Sequence, residues 1–340
     1  MIKLLSHLSH IHIAAPDLAA SIRFYEEQLG MRVINRDGDT AYLRTWGDYY
    51  QYSLVISQGP EPAMVSMTWR TSSAEALEAA AQAIEGEGIQ GTWTDSTFGH
   101  GRSYTFVGPW GHTMELYWDV ERFVADAEYA STYPDRPERR SRNSVAPRQI
   151  DHITVAAPDV RAFGDWYSRV LGFRVMANTV LERGSFSIFT VLTTNETSHD
   201  LGVVLDASPR KGRINHYAFW VPQREDLLQA ADILGENGTN IEYGPSIHGI
   251  GEAEFLYFRD PSGMRVEYTT ATYRNYVPDW EANDWLPQQG SANLYRNSQM
   301  PMSMTESFPP DAAPSATEEG VLPGTEDQLL HNPYAVPGRG

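Results

Sequence analysis

The chain has 340 residues, which is enough for two domains and for a sizeable buried core. With 26 Lys and Arg residues against 44 Asp and Glu residues its net charge is −18, which argues against nucleic acids and anionic membranes as partners because both require basic patches. No cysteine is present, so disulfides, thiolate metal ligands and cysteine nucleophiles are excluded. The first residues lack the features of a signal peptide and no apolar run has the length of a membrane helix, so we expect a soluble, cytoplasmic protein.

An internal repeat begins at the first predicted strand. Residues 10–17 (HIHIAAPD) match residues 152–159 (HITVAAPD), and the match continues without a gap to Val33 and Val175. Each copy predicts a strand, a helix that starts after an Asp N-cap, a glycine at the helix end and a second strand. Further predicted strands complete this unit in each half, at residues 40–44, 50–56, 186–192 and 201–205.

A second unit follows the first in each half. It starts with a strand, at residues 64–69 or 214–220, and continues into a helix, which in the first half begins with a capping box at residues 72–75. The hairpin that closes each half ends on a carboxylate, Glu115 or Glu267. We therefore predict an α+β fold of tandem βαβββ units, two per domain, that form half-barrels.

Composition and periodicity set the predicted domain boundaries. Two domains cover residues 1–135 and 148–275, and the charged, Pro-containing stretch 136–147 is predicted to link them because it has no periodicity. Residues 276–340 form a tail rich in Pro, Gln, Asn, Ser and Gly. Three aromatic residues favour partial docking of this tail on the domain surface: Trp280, Trp285 and Tyr295.

Three residues of the second half have the types and positions that a metal centre requires. His152 lies on the first strand of its unit, His216 on the first strand of the next unit, and Glu267 on the closing strand. Two histidines and one carboxylate on one face of an octahedron leave the opposite face open, as in non-haem iron oxygenases. Taken singly, each histidine could instead pair with a backbone carbonyl and Glu267 could be solvated. Because the positions are related by the repeat, we predict a divalent metal site.

The first half retains part of this ligand set. His10 aligns with His152 and Glu115 with Glu267, whereas Val65 takes the place of His216. Two ligands alone would hold a metal weakly. We therefore predict that the first domain has a degenerate site and a packing role.

The second half resembles a known family at these residues. The strand-paired ligands and the motif H-x8-Y-x2-D-P-x-G-x3-E, from His248 to Glu267, look like the type I extradiol catecholic dioxygenases of the vicinal oxygen chelate superfamily, over about residues 5–275. The resemblance implies an Fe(II) enzyme that inserts both atoms of O2 next to the diol of a catechol and yields a hydroxymuconic semialdehyde-type product. Mn(II) is an alternative because both ions accept N and O ligands. The resemblance also implies a homo-oligomer.

The family motif assigns further roles in and around the site. His199 matches the acid–base histidine, and the reference pKa of histidine, about 6.5, suits a group that takes and returns a proton. His248 and Tyr257 match a pair that contacts the substrate or the reaction intermediate, and Thr154 is at a position that is polar in some relatives. Without the resemblance, His199 and His248 would be ordinary loop histidines and Tyr257 a packed strand aromatic.

The identity of the substrate stays open at this level. Phe186, Phe189, Ile247 and Ile250 flank the predicted site and would favour a catechol with an alkyl or aryl substituent, so catechol, an alkylcatechol and 2,3-dihydroxybiphenyl are all candidates. A hydroxyphenylpyruvate-type oxygenase would share the metal ligands, and a glyoxalase-like isomerase would consume no O2. An antibiotic-sequestering binding protein would lack the three ligands.

Overall fold

The computed structural model describes residues 3–141, 144–182 and 186–311. Within these residues the strands form two sheets, one in each half of the sequence. The strands of the first sheet are β1 (Leu5–Ala15), β2 (Arg32–Asp37), β3 (Thr40–Arg44), β4 (Leu54–Gln58), β5 (Ala63–Thr71), β6 (Thr92–Thr94), β7 (Ser103–Val107) and β8 (Thr113–Tyr117). Those of the second sheet are β9 (Gln149–Ala157), β10 (Arg174–Val180), β11 (Ser187–Thr193), β12 (Leu201–Leu205), β13 (Ile214–Trp220), β14 (Ile241–Ile247), β15 (Glu254–Arg259), β16 (Arg265–Thr269) and β17 (Asn283–Trp285).

The helices connect the first and second strands of each unit. They are α1 (Leu18–Arg23), which continues into a π-helical turn (Phe24–Gln28), α2 (Ala74–Gly86), α3 (Val160–Leu171) and α4 (Arg224–Glu236). Two short 3-10 helices follow the second sheet, at Pro287–Gln289 and Met302–Thr305. None of the helices in the described residues has the length and apolar character needed to cross a membrane.

Each sheet consists of two similar units that meet along their first strands. The strand order is β2-β3-β4-β1-β5-β8-β7-β6 in the first sheet and β14-β15-β16-β13-β9-β12-β11-β10-β17 in the second. The central pairs β1–β5 and β9–β13 are antiparallel, and each central strand also pairs in parallel with the last strand of its own unit. This arrangement confirms the predicted α+β fold of paired βαβββ units.

Capping residues begin the helices close to the predicted positions. The Asp159 side chain accepts a 2.9 Å hydrogen bond from the Ala162 amide at the start of α3, and Gly172 ends this helix with a φ of +75°. In α2 the N-cap is Ser73, one residue later than the predicted capping box. The preceding hydroxyl, that of Ser72, instead donates to the carbonyl of Lys3, which lies two residues before β1.

Both halves contribute to one hydrophobic core. The rings of Trp69 and Phe173 pack edge to face with their centroids 4.9 Å apart. Tyr25, from the π-helical turn of the first half, donates a 3.0 Å hydrogen bond to Asp260, which lies in the turn between β15 and β16. The first half therefore braces the hairpin that closes the second sheet.

The stretch predicted as a linker packs closely against the first sheet. Glu138 is buried and forms ion pairs with Arg32 at 2.6 Å and Arg44 at 3.1 Å. Val145 and Ala146, further along, are also buried.

Residues 276–311 pack against the second sheet. Strand β17 pairs in parallel with β10, and Phe308 forms an antiparallel bridge with Ile214. The Trp280 indole donates a 2.9 Å hydrogen bond to the Met176 carbonyl. Trp285 packs against the same small cluster as Trp280, whereas Tyr295 is 53% exposed. The remainder of the predicted tail, residues 312–340, lies outside the described residues.

Candidate metal centre

The side chains of His152, His216 and Glu267 meet on the adjacent strands β9, β13 and β16. The two Nε2 atoms are 3.2 Å apart, and they lie 3.1 Å and 3.2 Å from the same carboxylate oxygen, Oε2 of Glu267. All three residues are buried, and one ligand atom from each lies within 4.8 Å of the others. The strand pairing predicted from the repeat thus brings the three residues together.

Neighbouring oxygens fix the orientation of both imidazoles. Nδ1 of His152 is 2.8 Å from a carboxylate oxygen of Asp151, and Nδ1 of His216 is 2.8 Å from the amide oxygen of Asn215. The Asn215 amide nitrogen donates to two backbone carbonyls, so its oxygen is the atom that faces the ring. Because both oxygens are acceptors, each Nδ1 carries a hydrogen, and in the neutral form of each ring the Nε2 lone pair is directed at the space beside Glu267. Metal-binding histidines are commonly oriented in this way.

The three converging atoms are all electron-pair donors. Both carboxylate oxygens of Glu267 are buried without a hydrogen-bond partner among the described residues, which is costly for a charged group. A cation bound between the two imidazoles and the carboxylate would interact favourably with all three donor atoms at once. A set of two imidazoles and one carboxylate fits a divalent transition metal and leaves coordination positions free.

The electrostatics of the site favour positive charge. Burial would raise the pKa of Glu267, but the adjacent imidazoles, chiefly that of His152, hold this pKa well below its usual range. Burial would lower the pKa of His152, yet the carboxylates of Glu267 and Asp151 raise it to about 10. Burial lowers the pKa of His216 to about 4, so this imidazole is neutral and available as a ligand. The field that attracts a proton here also attracts a metal cation.

A cavity of about 270 Å³ opens beside the two imidazoles. Most of its surface is apolar, and the second half supplies all of its lining residues: His152, Thr154, Thr179, Ile188, Phe189, His199, Val204, Leu205, Asn215, His216, Tyr243, His248, Ile250, Tyr257, Ser291, Ala292, Met300, Met304 and Thr305. The space is therefore large enough to receive a small aromatic molecule beside the metal ligands.

Three of the five predicted pocket residues line this cavity, namely Thr154, Phe189 and Ile250. Phe186 is not among the lining residues; it directly precedes β11 and is 56% exposed. Ile247 is also absent from the lining and is half-buried at the end of β14. For Ile247 the cause is the alternation of an extended segment, because its neighbour His248 faces the cavity.

His199 lies beside the metal ligands. Its ring centroid is 4.3 Å from that of His152, and its Nδ1 is 3.0 Å from the hydroxyl of Ser198. Burial, together with the neighbouring His152, lowers the pKa of His199 well below its ordinary value. The imidazole is therefore neutral at neutral pH and can accept a proton, although its pKa is not the reference value assumed from the sequence.

His248 and Tyr257 form a hydrogen-bonded pair on another wall of the cavity. Nδ1 of His248 donates to the Ala292 carbonyl at 2.7 Å, so Nε2 accepts the Tyr257 hydroxyl at 3.1 Å. Burial and the charge of Glu267 raise the pKa of Tyr257 well above its usual value. Tyr257 therefore remains protonated and keeps a hydroxyl next to the cavity.

Several functional positions were not found from the sequence. Asp151 and Asn215 each directly precede a histidine ligand, and adjacent strand residues normally point to opposite faces. Here the ladder between β9 and β13 has a register shift at each of these positions, so both neighbours remain close to the ring they orient. The only indication in the sequence was that an Asp or an Asn directly precedes each histidine ligand. Met300 and Met304 lie in the tail, whose composition gave no indication of a role.

Comparison with known proteins agrees with this geometry. The sequence matches the Glyoxalase/Bleomycin resistance protein/Dioxygenase superfamily over residues 7–116 and 149–268. A manganese-dependent 2,3-dihydroxybiphenyl 1,2-dioxygenase of Geobacillus genomosp. 3 is 32% identical over 83% of this chain and 90% of that protein. A metapyrocatechase of Geobacillus stearothermophilus is 30% identical over 82% of this chain and 85% of that protein.

A solved structure shares the fold over most of its length. The crystal structure of homoprotocatechuate 2,3-dioxygenase from Arthrobacter globiformis has a TM-score of 0.79 and 26% identity, and the match covers 90% of this chain and 92% of that one. The chain belongs to the Glyoxalase/Bleomycin resistance protein/Dioxygenase superfamily. Within that superfamily it is an extradiol ring-cleavage dioxygenase, as the resemblance found in the sequence implied.

Proposed function

We propose that the chain is an Fe(II)-dependent dioxygenase that opens the ring of catechols carrying an apolar substituent. Cleavage would occur next to the diol, with both atoms of O2 entering a hydroxymuconic semialdehyde-type product. The observation that carries the proposal is the convergence of two imidazole lone pairs and an unpaired carboxylate at the wall of an apolar cavity.

His152, His216 and Glu267 would hold the metal. When bound there, a redox-active divalent ion would couple the electrons of the catechol to O2 and would acidify the diol. The N and O donors accept Fe(II) and Mn(II) alike, and a relative that is 32% identical is named as manganese-dependent. Reconstitution with each ion in parallel should give the higher turnover with Fe(II), and higher turnover with Mn(II) would reverse this assignment.

The chain's own residues would orient the substrate and move its protons. His199, neutral and beside His152, would accept a proton from a catechol hydroxyl and return it to the oxygen that O2 contributes. On substrate binding, the Tyr257 hydroxyl would turn its single hydrogen from Nε2 of His248 to an oxygen of the substrate. The buried surroundings exclude bulk water from both groups.

The cavity lining favours a substituent without charge. Ile188, Phe189 and Val204 lie on one part of the wall, and Met300 and Met304 come from the tail. The lining, which consists only of described residues, contains no Lys or Arg that could pair with a carboxylate on the substrate. Alkyl- and aryl-substituted catechols therefore fit better than carboxylated ones, since an unpaired buried charge is costly.

Oxygen uptake by protein loaded anaerobically with Fe(II) tests the proposal. We expect uptake and a yellow product with 3-methylcatechol and 2,3-dihydroxybiphenyl, and much lower rates with homoprotocatechuate. The Glu267→Gln variant should lose both metal and activity. The matched variant Glu254→Gln, on the same sheet and paired with Arg224 at 2.7 Å, should keep both.

Two results would contradict the proposal. Absence of oxygen uptake by metal-loaded protein with every catechol would rule out the reaction. A preference for the carboxylated substrate would leave the reaction in place but exclude the proposed substrate class.

A further inference from the structure

The first sheet contains a second group of possible metal ligands. His10 on β1, His100 in the loop before β7 and Glu115 on β8 each offer one ligand atom, and these atoms lie within 4.8 Å of one another. Both histidines are buried, and the carboxylate side chain is 16% exposed. Nε2 of His100 is 3.8 Å from Oε2 of Glu115. The group thus has the same composition as the centre in the second sheet.

This group differs from the degenerate site expected from the sequence. The strand register places Ser66, not Val65, opposite His12, in the position that His216 occupies opposite Thr154. The sequence alignment was one residue off, because Val65 corresponds to Asn215, the extra residue at the matching register shift of β13. Neither Ser66 nor Val65 supplies a nitrogen ligand. The missing imidazole comes instead from a different element, the loop that carries His100.

Local hydrogen bonds orient the ligand atoms. Nδ1 of His100 donates to the Gly101 carbonyl at 3.0 Å, which leaves its Nε2 with a lone pair. The Thr97 hydroxyl lies 3.0 Å from this Nε2, and its hydrogen can rotate away when a cation binds. Thr68 donates to Glu115 at 3.2 Å. Ser9, which precedes His10 at a register shift as Asp151 precedes His152, lies 3.3 Å from its Nδ1.

The surroundings of this group are aromatic. The Tyr52 ring packs edge-on against His10 with a centroid distance of 4.7 Å, and the Tyr117 ring stacks on His100 at 4.5 Å. No residue of the first half lines the cavity at the candidate active centre. A metal bound here would therefore join β1, β8 and the loop before β7 that carries His100. It would not contact a substrate in the cavity of the second half.

We propose that His10, His100 and Glu115 bind a second divalent transition-metal ion, with Zn(II) as an ion that accepts three N and O ligands and a water molecule in the fourth position. The ion would tie the loop that carries His100 to two inner strands of the first sheet, β1 and β8. This inference does not rest on the proposed reaction, because it concerns a separate set of ligands.

Metal stoichiometry tests the second site directly. Metal-free protein is incubated with Zn(II), desalted and analysed for zinc per chain by mass spectrometry. We expect about two ions for the wild-type protein and about one for His100→Asn, for Glu115→Gln and for His216→Asn. The His216→Asn/His100→Asn double variant should retain none. His12→Asn removes a histidine of the same strand that is outside the group, and it should keep two.

A spectroscopic measurement on folded protein distinguishes loss of the metal site from loss of folding. In the His216→Asn background, Co(II) added to the folded protein should give visible d–d absorption from the first-sheet site alone, and this absorption should disappear on addition of His100→Asn. One ion per wild-type chain, lost with His216→Asn, would overturn the proposal. Equal loss of metal in His12→Asn would indicate adventitious binding and would also overturn it. Neither outcome depends on whether a catechol is cleaved.

Discussion

Four histidines around the cavity share one arrangement. In His152, His199, His216 and His248, Nδ1 is within hydrogen-bonding distance of an oxygen of another residue. The second nitrogen of each ring is thereby left for a metal, a proton or a hydroxyl group. Identical side chains thus serve as ligand, proton carrier or hydrogen-bond acceptor according to where their Nε2 atoms lie.

Replacement of His199 separates proton transfer from metal binding. The His199→Ala variant should keep its metal, because this residue is not one of the three converging ligands, but its kcat should fall by about 10²–10⁴-fold, the usual contribution of a general base. Metal analysis and steady-state oxygen uptake at saturating catechol measure the two effects. The control His7→Ala removes a histidine that stacks on Tyr50, outside the cavity, and should retain turnover. Full activity in His199→Ala would remove the proton-carrier role.

The sequence predicted the ligand residues but not the residues that orient them. His152, His216 and Glu267 could be recognised because they occupy repeat-related strands whose pairing follows from the βαβββ pattern. Asp151 and Asn215 could not, since their positions depend on local register shifts that leave little trace in hydrophobic alternation.

At the level of elements, the described parts of two segments that look irregular in the sequence are packed against the sheets. Composition and the absence of periodicity predict a linker at residues 136–147 and an irregular tail after residue 275, for which the aromatic residues favour partial docking. Burial of single side chains, such as Glu138 in the linker and Ser291 in the tail, depends on tertiary contacts that composition does not encode. For this reason the strands and helices of the sheets could be predicted, whereas the contacts that individual residues of these segments make could not.

Glu138 makes the linker stretch a stabilising element. The Glu138→Gln substitution would leave the guanidinium groups of Arg32 and Arg44 without their carboxylate, and Arg44 is fully buried. Removing one partner of a buried ion pair costs about 3–5 kcal/mol. Urea denaturation should therefore show a decrease of roughly 3 kcal/mol in the free energy of unfolding. The exposed residue Glu128 provides a matched control. If Glu138→Gln and Glu128→Gln both have the same small effect on the free energy of unfolding, the ion pairs of Glu138 do not stabilise the fold.

At the level of the whole molecule, the two halves are joined by a shared core and by polar contacts across it. Tyr25 reaches Asp260 in the hairpin that carries Tyr257 and Glu267. His112 of the first half lies 3.1 Å from the Arg213 carbonyl of the second half and donates to it through Nε2. The geometry of the candidate metal centre thus depends in part on residues far from it in the sequence.

The interface should make stability depend on pH. Burial lowers the pKa of His112 to about 4, whereas the unfolded chain has the ordinary value of about 6.5. Between these two values the unfolded state binds the proton more readily, so the contribution of neutral His112 is complete above about pH 6.5 and decreases as the pH falls toward 4. The difference in pKa corresponds to about 3 kcal/mol.

Unfolding of wild-type and His112→Gln proteins across this pH range provides the measurement. Gln retains a hydrogen-bond donor but does not ionise, so the variant should lose less stability than the wild-type protein between pH 6.5 and 4. All other histidines are common to both proteins, so their contributions to the pH dependence cancel when the two free energies of unfolding are subtracted. If the free energies of unfolding of the two proteins fall equally with decreasing pH, the pKa of His112 does not change on folding.

The residues that complete the cavity wall come after the metal ligands in the chain. Ser291, Met300, Met304 and Thr305 are all downstream of Glu267. During synthesis on the ribosome, His152, His216 and Glu267 can therefore meet before this wall has emerged. Metal capture and closure of the pocket can thereby be separated in time, and the nascent chain would then offer an ion a wider entrance than the finished protein does.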